Sequence, residues 1–258
     1  MGKEIAMAVK INEINTEIRS LLKQFKLPDI YEKYDAEVEA AIESNWGYRE
    51  FLYRLLKIEE EGKRNRLKEK NIKKACFDGY KTIEDFDFNF PNSINQSKIL
   101  DLTTLSFMDK NENLVFIGPP GVGKSHLAVA IGFKACESGK SVLFVNAIEL
   151  VDDLYNAIKA GTLKQKFVKL SKIDLIIIDD IGYLKMDKEK ESIFFQLIRQ
   201  RYEKNSLIVT TNLPFNRWDE IFTSELAASA VLDRLLHHSH IISITGDSYR
   251  VNRHMEEF

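Results

Sequence analysis

Cysteine is almost missing from this chain. Cys76 and Cys136 are the only two in 258 residues, and they lie far apart. That excludes a disulfide-stapled fold and a zinc-finger spacing, and it fits a reducing cytoplasm with buried or inert thiols. Long apolar runs are absent too, which excludes a membrane-spanning helix. The opening residues, Met1-Gly2-Lys3-Glu4-Ile5, lack the apolar core of a secretory signal. The expectation is a cytoplasmic protein with no membrane partner. Internal repeats and low-complexity stretches are missing. Net charge is small as well: 37 Lys and Arg stand against 39 Asp and Glu, for a formal charge of −2. The total therefore argues neither for nor against nucleic acid, and the distribution of charge has to decide. What is present is the composition of a soluble globular protein, 44% hydrophobic and 29% charged. The length suits one large domain, or one domain with a smaller companion.

Two regions differ in pattern. Residues 1–75 read as an all-helical domain for assembly, DNA or partner contacts. Ile11, Ile14, Ile18, Leu21 and Leu22 repeat at helical spacing, and Leu27-Pro28 breaks that helix. A second, acidic helix spans Tyr31–Ser44. A third spans Tyr48–Lys74, with Phe51, Leu52, Leu55, Leu56 and Ile58 as its apolar face. Residues 76–258 alternate strand and helix. Strand-like runs are Leu114–Ile117, Val142–Asn146, Leu175–Asp179, Leu207–Thr211 and Ile241–Ile244. The alternation predicts an α/β domain of three layers, a parallel five-stranded sheet with helices on both faces.

The most specific motif is Gly118-Pro119-Pro120-Gly121-Val122-Gly123-Lys124-Ser125, followed by His126. It fits the phosphate-binding P-loop, G-x-x-x-x-G-K-[ST]. Glycines let successive backbone N–H groups point inward at an anion. Lys124 adds a charge for the β- and γ-phosphates, and the Ser125 hydroxyl can hold Mg²⁺. A strand precedes the loop and a helix follows it, as such an anion site requires. The implied cofactors are ATP and Mg²⁺.

Leu175-Ile176-Ile177-Ile178-Asp179-Asp180 is an apolar strand that ends in two carboxylates, the pattern of a Walker B strand. Its carboxyl end should open on the nucleotide. Asp179 is placed to hold Mg²⁺ and Asp180 to orient the attacking water. Leu207-Ile208-Val209-Thr210-Thr211-Asn212 ends in an amide. Asn212 reads either as a group for the γ-phosphate or lytic water, or as a turn residue before Leu213-Pro214. Arg234 on a helix and Arg250 near the C-terminus read either as phosphate ligands or as members of surface ion pairs.

Charge is segregated. Lys63, Arg64, Arg66, Lys68, Lys70, Lys73 and Lys74 stand against one acid, Glu69. Lys159, Lys164, Lys166 and Lys169 fall in a stretch, 154–170, that has no acid. Rows of cations suffice for binding phosphates without sequence preference, and each segment reads as a DNA contact or as a solvated helix face. No module for base readout is evident, so duplex DNA would be bound largely without regard to sequence. His237, His238 and His240 are close together, but no further ligand spacing supports a metal. Phe86, Phe88 and Phe90 belong to an aromatic connector that either packs on the sheet or stacks on adenine.

In this order the motifs resemble AAA+ ATPases of the IstB/DnaC type, and the IstB transposition helpers more closely. The similarity extends through Thr82–Phe88, Leu175–Leu184, Phe195–Glu203, Leu232-Asp233-Arg234-Leu235-Leu236-His237-His238 and Gly246-Asp247-Ser248-Tyr249-Arg250. It covers nearly the whole chain. The resemblance implies Lys124 and Ser125 as Walker A, Asp179 and Asp180 as Walker B, and Asn212 as sensor 1. It implies Arg234 as an arginine finger reaching a neighbouring subunit's site and Arg250 as sensor 2. Asp180 departs from most AAA+ relatives, which carry Glu, and implies slow turnover. In initiator-type relatives an extra helix between the second and third strands lines the DNA path. The function implied is an ATPase that oligomerises on DNA and helps a transposase select or remodel its target. A replicative helicase loader of the DnaC type is the nearest alternative. A small-molecule P-loop kinase would need an acceptor pocket and an arginine-rich lid. A nucleotide-gated scaffold that barely hydrolyses ATP is left open by Asp180.

Overall fold

The computed structural model describes residues 2–90, 94–249 and 251, with side chains from residue 12 onward. The chain divides into two compact units, Met1–Leu67 and Lys68–Phe258.

Three helices open the chain: α1 (Gly2–Gln24), α2 (Pro28–Glu43) and α3 (Tyr48–Ala75). Pro28 starts α2, because a residue with no N–H and a fixed φ suits a helix's first turn and no interior position. The core of the first unit is small. Ile30, Tyr34 and Leu55 are buried, with Ile18, Leu22, Leu27, Val38 and Phe51 around them. Leu27, at the N-cap of α2, has no polar side chain to satisfy the first N–H groups. A carboxylate from α3 does so instead. Glu59, only 3% exposed, accepts from the backbone N–H of Asp29 at 3.0 Å and of Ile30 at 3.3 Å. Arg66 balances the buried charge. It donates to Glu59 at 3.0 Å and also pairs with Asp29.

The second unit carries the predicted sheet. Its strands are β1 (Asn113–Ile117), β2 (Val142–Asn146), β3 (Leu175–Asp179), β4 (Ser206–Thr211) and β5 (Ser239–Ser243). All pairings are parallel, in the order β2-β3-β4-β1-β5. The helices are α4 (Gln96–Leu102), α5 (Ser106–Asp109), α6 (Lys124–Glu137), α7 (Ala147–Lys159), α8 (Leu163–Leu170), α9 (Lys188–Arg201) and α10 (Glu225–Leu236). Strand residues alternate between two cores. Leu175 and Ile177 join Leu114, Phe116 and Ile208 against α6. Ile176 and Ile178 join Val115 and Val209 against α7, α9 and α10. Cover on both faces explains why Leu175–Ile178 is an unbroken apolar run. β5 begins two residues earlier than its apolar residues predict. It is an edge strand paired only to β1, and Ser239 and His240 take ladder positions opposite Asn113 and Leu114.

One buried cation holds the floor of this unit. Arg201, at the end of α9, is 2% exposed. Its guanidinium donates to four backbone carbonyls, those of Leu170, Ile173, Asp174 and Ser206, at 2.8–3.1 Å. Burial pushes its pKa down to about 10, which leaves it charged at neutral pH. Cys136 is buried and its thiol is pushed up to about 12, whereas Cys76 is exposed. No helix among the described residues is long and apolar enough to cross a membrane.

Candidate nucleotide site

Strands β3, β4 and β1 are neighbours, so their carboxyl ends meet at one edge although they are far apart in sequence. The loop after β1 is the P-loop, β3 delivers Asp179 and Asp180, and β4 delivers Asn212. Open parallel sheets bind ligands at this edge.

The P-loop is shaped by residue type. Gly123 has φ +95°, a left-handed conformation, and a Cβ there would lie 2.5 Å from the Phe86 ring. Only glycine meets both demands, so Gly123 stands at the N-cap of α6, and the loop meets the helix at its positive end. Lys124 is 5% exposed and donates to the carbonyls of Gly118 at 2.9 Å and Pro119 at 2.7 Å. These bonds hold the ammonium over the loop that a phosphate would occupy.

A cavity of about 240 Å³ opens here. Pro120, Gly121, Val122, Gly123, Lys124, Ser125 and His126 line it, with Asp180 and Asn212 from the neighbouring strands. Tyr183, Tyr249 and the connector residues Lys81, Asp85, Phe86, Asp87 and Phe90 complete the wall. His126 is tied to that connector, with its Nε2 donating to the Thr82 carbonyl at 2.7 Å. The Thr82 hydroxyl and N–H hold the Asp85 carboxyl below the usual range. The C-terminal segment reaches the loop as well, since the N–H of Tyr249 donates to Gly121 at 3.1 Å. A larger groove of about 710 Å³ lies along α10, lined by Asp219, Glu225 and Asp233 among others. It has three carboxylates and no phosphate loop, so the smaller cavity is the one suited to an anion.

The two acids differ in setting. Asp179 is 8% exposed and is not among the residues that line the cavity. Its Oδ1 accepts from the Thr210 hydroxyl at 2.5 Å. Asp180 adopts φ 59°, ψ 45°, a left-handed conformation that Asp tolerates better than most residues, and so its side chain turns toward the cavity. Asn212 is kept in place by an absence. A Cβ on Gly182 would stand 1.9 Å from its Oδ1. That oxygen is buried without a hydrogen-bond partner among the described residues, and a proton-bearing ligand or water would satisfy it.

The donor set fits a magnesium nucleotide: a loop that only glycine can form, a buried ammonium, a hydroxyl, two carboxylates and an orphaned amide oxygen. Arg234 is elsewhere. It donates to the Ala230 carbonyl at 2.8 Å, its guanidinium lies 4.8 Å over the Phe195 ring, and it does not line the cavity. No ion pair joins it to Asp233. Arg250 lies outside the described residues.

The basic residues divide. Lys63, Arg64, Lys70, Lys73 and Lys74 on α3 are exposed, as are Lys159, Lys164 and Lys169 on α7 and α8. Arg66 is held by Glu59 and Asp29, Lys68 by Glu137 at 2.6 Å, and Lys166 by Asp153. His240 pairs with Glu112 at 2.8 Å and His238 with Glu203 at 3.5 Å. Phe86 packs against Gly123 and is buried, and Phe90 lines the cavity with Tyr249. Sequence reasoning passed over Thr210, Gly182 and Glu59. The last two carry no type-specific pattern, and a threonine in a strand reads as an ordinary β-former.

Known proteins place this geometry. The ATP-binding protein of insertion sequence IS21 from Pseudomonas aeruginosa is 40% identical over 91% of this chain and 89% of its own length. Its counterpart from insertion sequence IS5376 of Geobacillus stearothermophilus is 41% identical over 91% and 93%. Among solved structures, AMPPCP-bound DnaA from Aquifex aeolicus superposes with a TM-score of 0.54 at 19% identity. It covers 71% of this chain, which spans little more than half, 56%, of the DnaA chain. DnaI superposes with a TM-score of 0.52 at 21% identity, over 65% of this chain and 89% of its own. These two likenesses establish the AAA+ P-loop fold alone. The family model of the IstB-like ATP-binding proteins matches residues 20–257, from the helical unit to beyond the last strand, and this chain belongs to that family.

Proposed function

We propose that this protein is an ATPase that assembles on DNA with ATP bound and assists the transposase of an insertion sequence in choosing or remodelling target DNA. The observation that carries the reading is the meeting of Lys124, Ser125, Asp180 and Asn212 around one cavity, from three adjacent strand ends. Nucleotide binding alone needs only the loop. A second carboxylate and an amide across from it supply what hydrolysis needs, a base-like group for water and a polar group for the γ-phosphate.

In this mechanism Lys124 leaves its loop carbonyls for the β- and γ-phosphates. Ser125 and Asp179 would hold Mg²⁺, which would supply neutralising charge for the phosphoryl group. Asp180 orients the attacking water, and Asn212 positions that water or the γ-phosphate. Asp180 is one methylene shorter than glutamate, so turnover is slow. Arg234, outside its own cavity, reaches the nucleotide of a neighbouring copy, and Arg250 contacts the nucleotide of its own. The DNA contacts come from the exposed cations of α3, α7 and α8. Arg66, Lys68 and Lys166, already held by carboxylates, contribute less. Relatives named for insertion sequences favour a transposase over a replicative helicase as partner.

The test is a fluorescent-nucleotide titration beside phosphate release. Lys124→Ala should weaken ATP binding roughly 10- to 100-fold, the loss of a charged hydrogen bond worth about 1.5–3 kcal/mol. Asp180→Asn should bind ATP as the parent does and cease to turn over. Parental affinity in Lys124→Ala would refute the nucleotide site, and parental turnover in Asp180→Asn would remove Asp180 from the chemistry.

A further inference from the structure

We infer that Thr210 is a positioning residue that sets both acids of the nucleotide site through one hydroxyl. The inference rests on the ATPase reading above and names a group that the motifs leave out.

Thr210 is fully buried near the end of β4. The β3–β4 register pairs Ile178 with Val209, so Thr210 stands beside Asp179. A threonine hydroxyl has one proton to give and two lone pairs. Here the proton goes to Asp179 Oδ1, at 2.5 Å. A lone pair accepts the backbone N–H of Asp180, at 2.9 Å. One oxygen therefore touches the side chain of the first acid and the backbone of the second.

Each bond has a separate consequence. The bond to Asp179 fixes the rotation of a buried carboxylate and leaves Oδ2 as the oxygen for an ion or its bound water. The bond from Asp180 N–H holds the peptide at the point where the chain leaves β3 and turns left-handed, φ 59°. Without that acceptor, the N–H at a residue whose conformation is already uncommon would lose its 2.9 Å bond to the strand beside it. The hydroxyl thus links the carboxylate that would hold the cation to the carboxylate that would orient the water. Valine would fill the same strand position with the same branching, so packing does not explain the oxygen.

Thr210→Val and Thr210→Ser separate these roles. Thermal unfolding first confirms that each variant is folded. Affinity for a fluorescent ATP analogue is then measured in EDTA and across a Mg²⁺ series, followed by phosphate release over the same series. In EDTA, Thr210→Val should match the parent, because it leaves the loop and Lys124 alone. Its Mg²⁺ requirement for tight binding should rise about 10- to 100-fold, as for loss of a group that orients a metal ligand. Its turnover should fall at saturating Mg²⁺ as well, because Asp180 loses its anchor. Thr210→Ser should keep both properties near parental. An unchanged Mg²⁺ requirement and turnover in Thr210→Val overturns the inference, as does a serine variant as impaired as the valine one. The serine arm carries the test if the valine variant fails to fold. A parent protein that binds no nucleotide sinks the ATPase reading and this inference together; a parent that binds and hydrolyses, beside an unaltered valine variant, sinks this inference alone.

Discussion

At the scale of residues, the side chains that hold the second unit together are as demanding as those that line its cavity. Arg201 is an example. Four carbonyl oxygens from the end of α8, the loop after it and the start of β4 converge on one guanidinium. Arg201→Met would keep the apolar stem and leave those buried acceptors unpaired. The expected loss is about 2–4 kcal/mol of stability, seen as a lower denaturation midpoint in urea. Arg201→Lys should recover only part of it, since an ammonium offers three donors and no planar fork. Neither effect should depend on pH near neutrality. The folded pKa of Arg201, about 10, lies below the ordinary value of 12.5. Both states therefore keep the proton below about pH 10, and stability gained from its release would rise only above that. Parental stability of Arg201→Met would show that the carbonyls find other partners. Arg201 was not legible in the sequence, where nothing local sets it apart from Arg199. The P-loop was legible, because its backbone path demands glycine at Gly121 and Gly123, two residues apart, and leaves a contiguous trace. Thr210 and Glu59 leave no such trace: their partners are 30 or so residues away, and nothing local distinguishes them from a strand former and a surface acid.

At the scale of elements, α3 carries two kinds of cation that composition alone cannot tell apart. Helix and strand positions were readable from apolar spacing, and so was the basic character of the C-terminal half of α3. Which cations are spent inside the fold was not, because that depends on what faces them. Arg66 meets Glu59 and Asp29, while Lys63 and Arg64 are exposed and in no ion pair among the described residues. A double reversal, Lys63→Glu with Arg64→Glu, should weaken DNA binding alike on unrelated sequences. It should also reduce the slope of log affinity against log salt by about two, near one per phosphate contact. Arg66→Ala should do the opposite: leave the salt slope at its parental value and lower the melting temperature of the helical unit, because the buried Glu59 loses its cation. Filter binding over a salt series with circular dichroism melts reads both. Equal salt slopes for the parent and the double reversal would assign the exposed cations of α3 to a protein partner or to solvent.

At the scale of the whole molecule, the question is whether one copy holds a complete site. The cavity is lined by Lys124 and by carboxylates, with no arginine among its described residues, and Arg234 contacts Phe195 and the Ala230 carbonyl instead. In the proposed mechanism this arginine has its role at a neighbouring copy's site. If Arg234 acts there, Arg234→Ala should bind nucleotide near normally. Its ATP hydrolysis should fall steeply, since fingers supplied in trans are worth roughly 10³–10⁵ in rate. Its ATP-dependent assembly on DNA should fall with it. Lys124→Ala fails for the opposite reason, with a sound Arg234 and a weakened nucleotide site. Mixing the two inactive proteins should then restore part of the activity, because some interfaces pair an intact P-loop from one copy with an intact Arg234 from the other. Light scattering reports assembly and phosphate release reports turnover, each on the single variants and on the mixture. If Arg234 serves only its own helix, Arg234→Ala changes stability slightly, assembles normally, and the mixture shows no more than the sum of its parts. That result would confine each site to one subunit and remove the interface from the mechanism, while leaving nucleotide binding by Lys124 untouched.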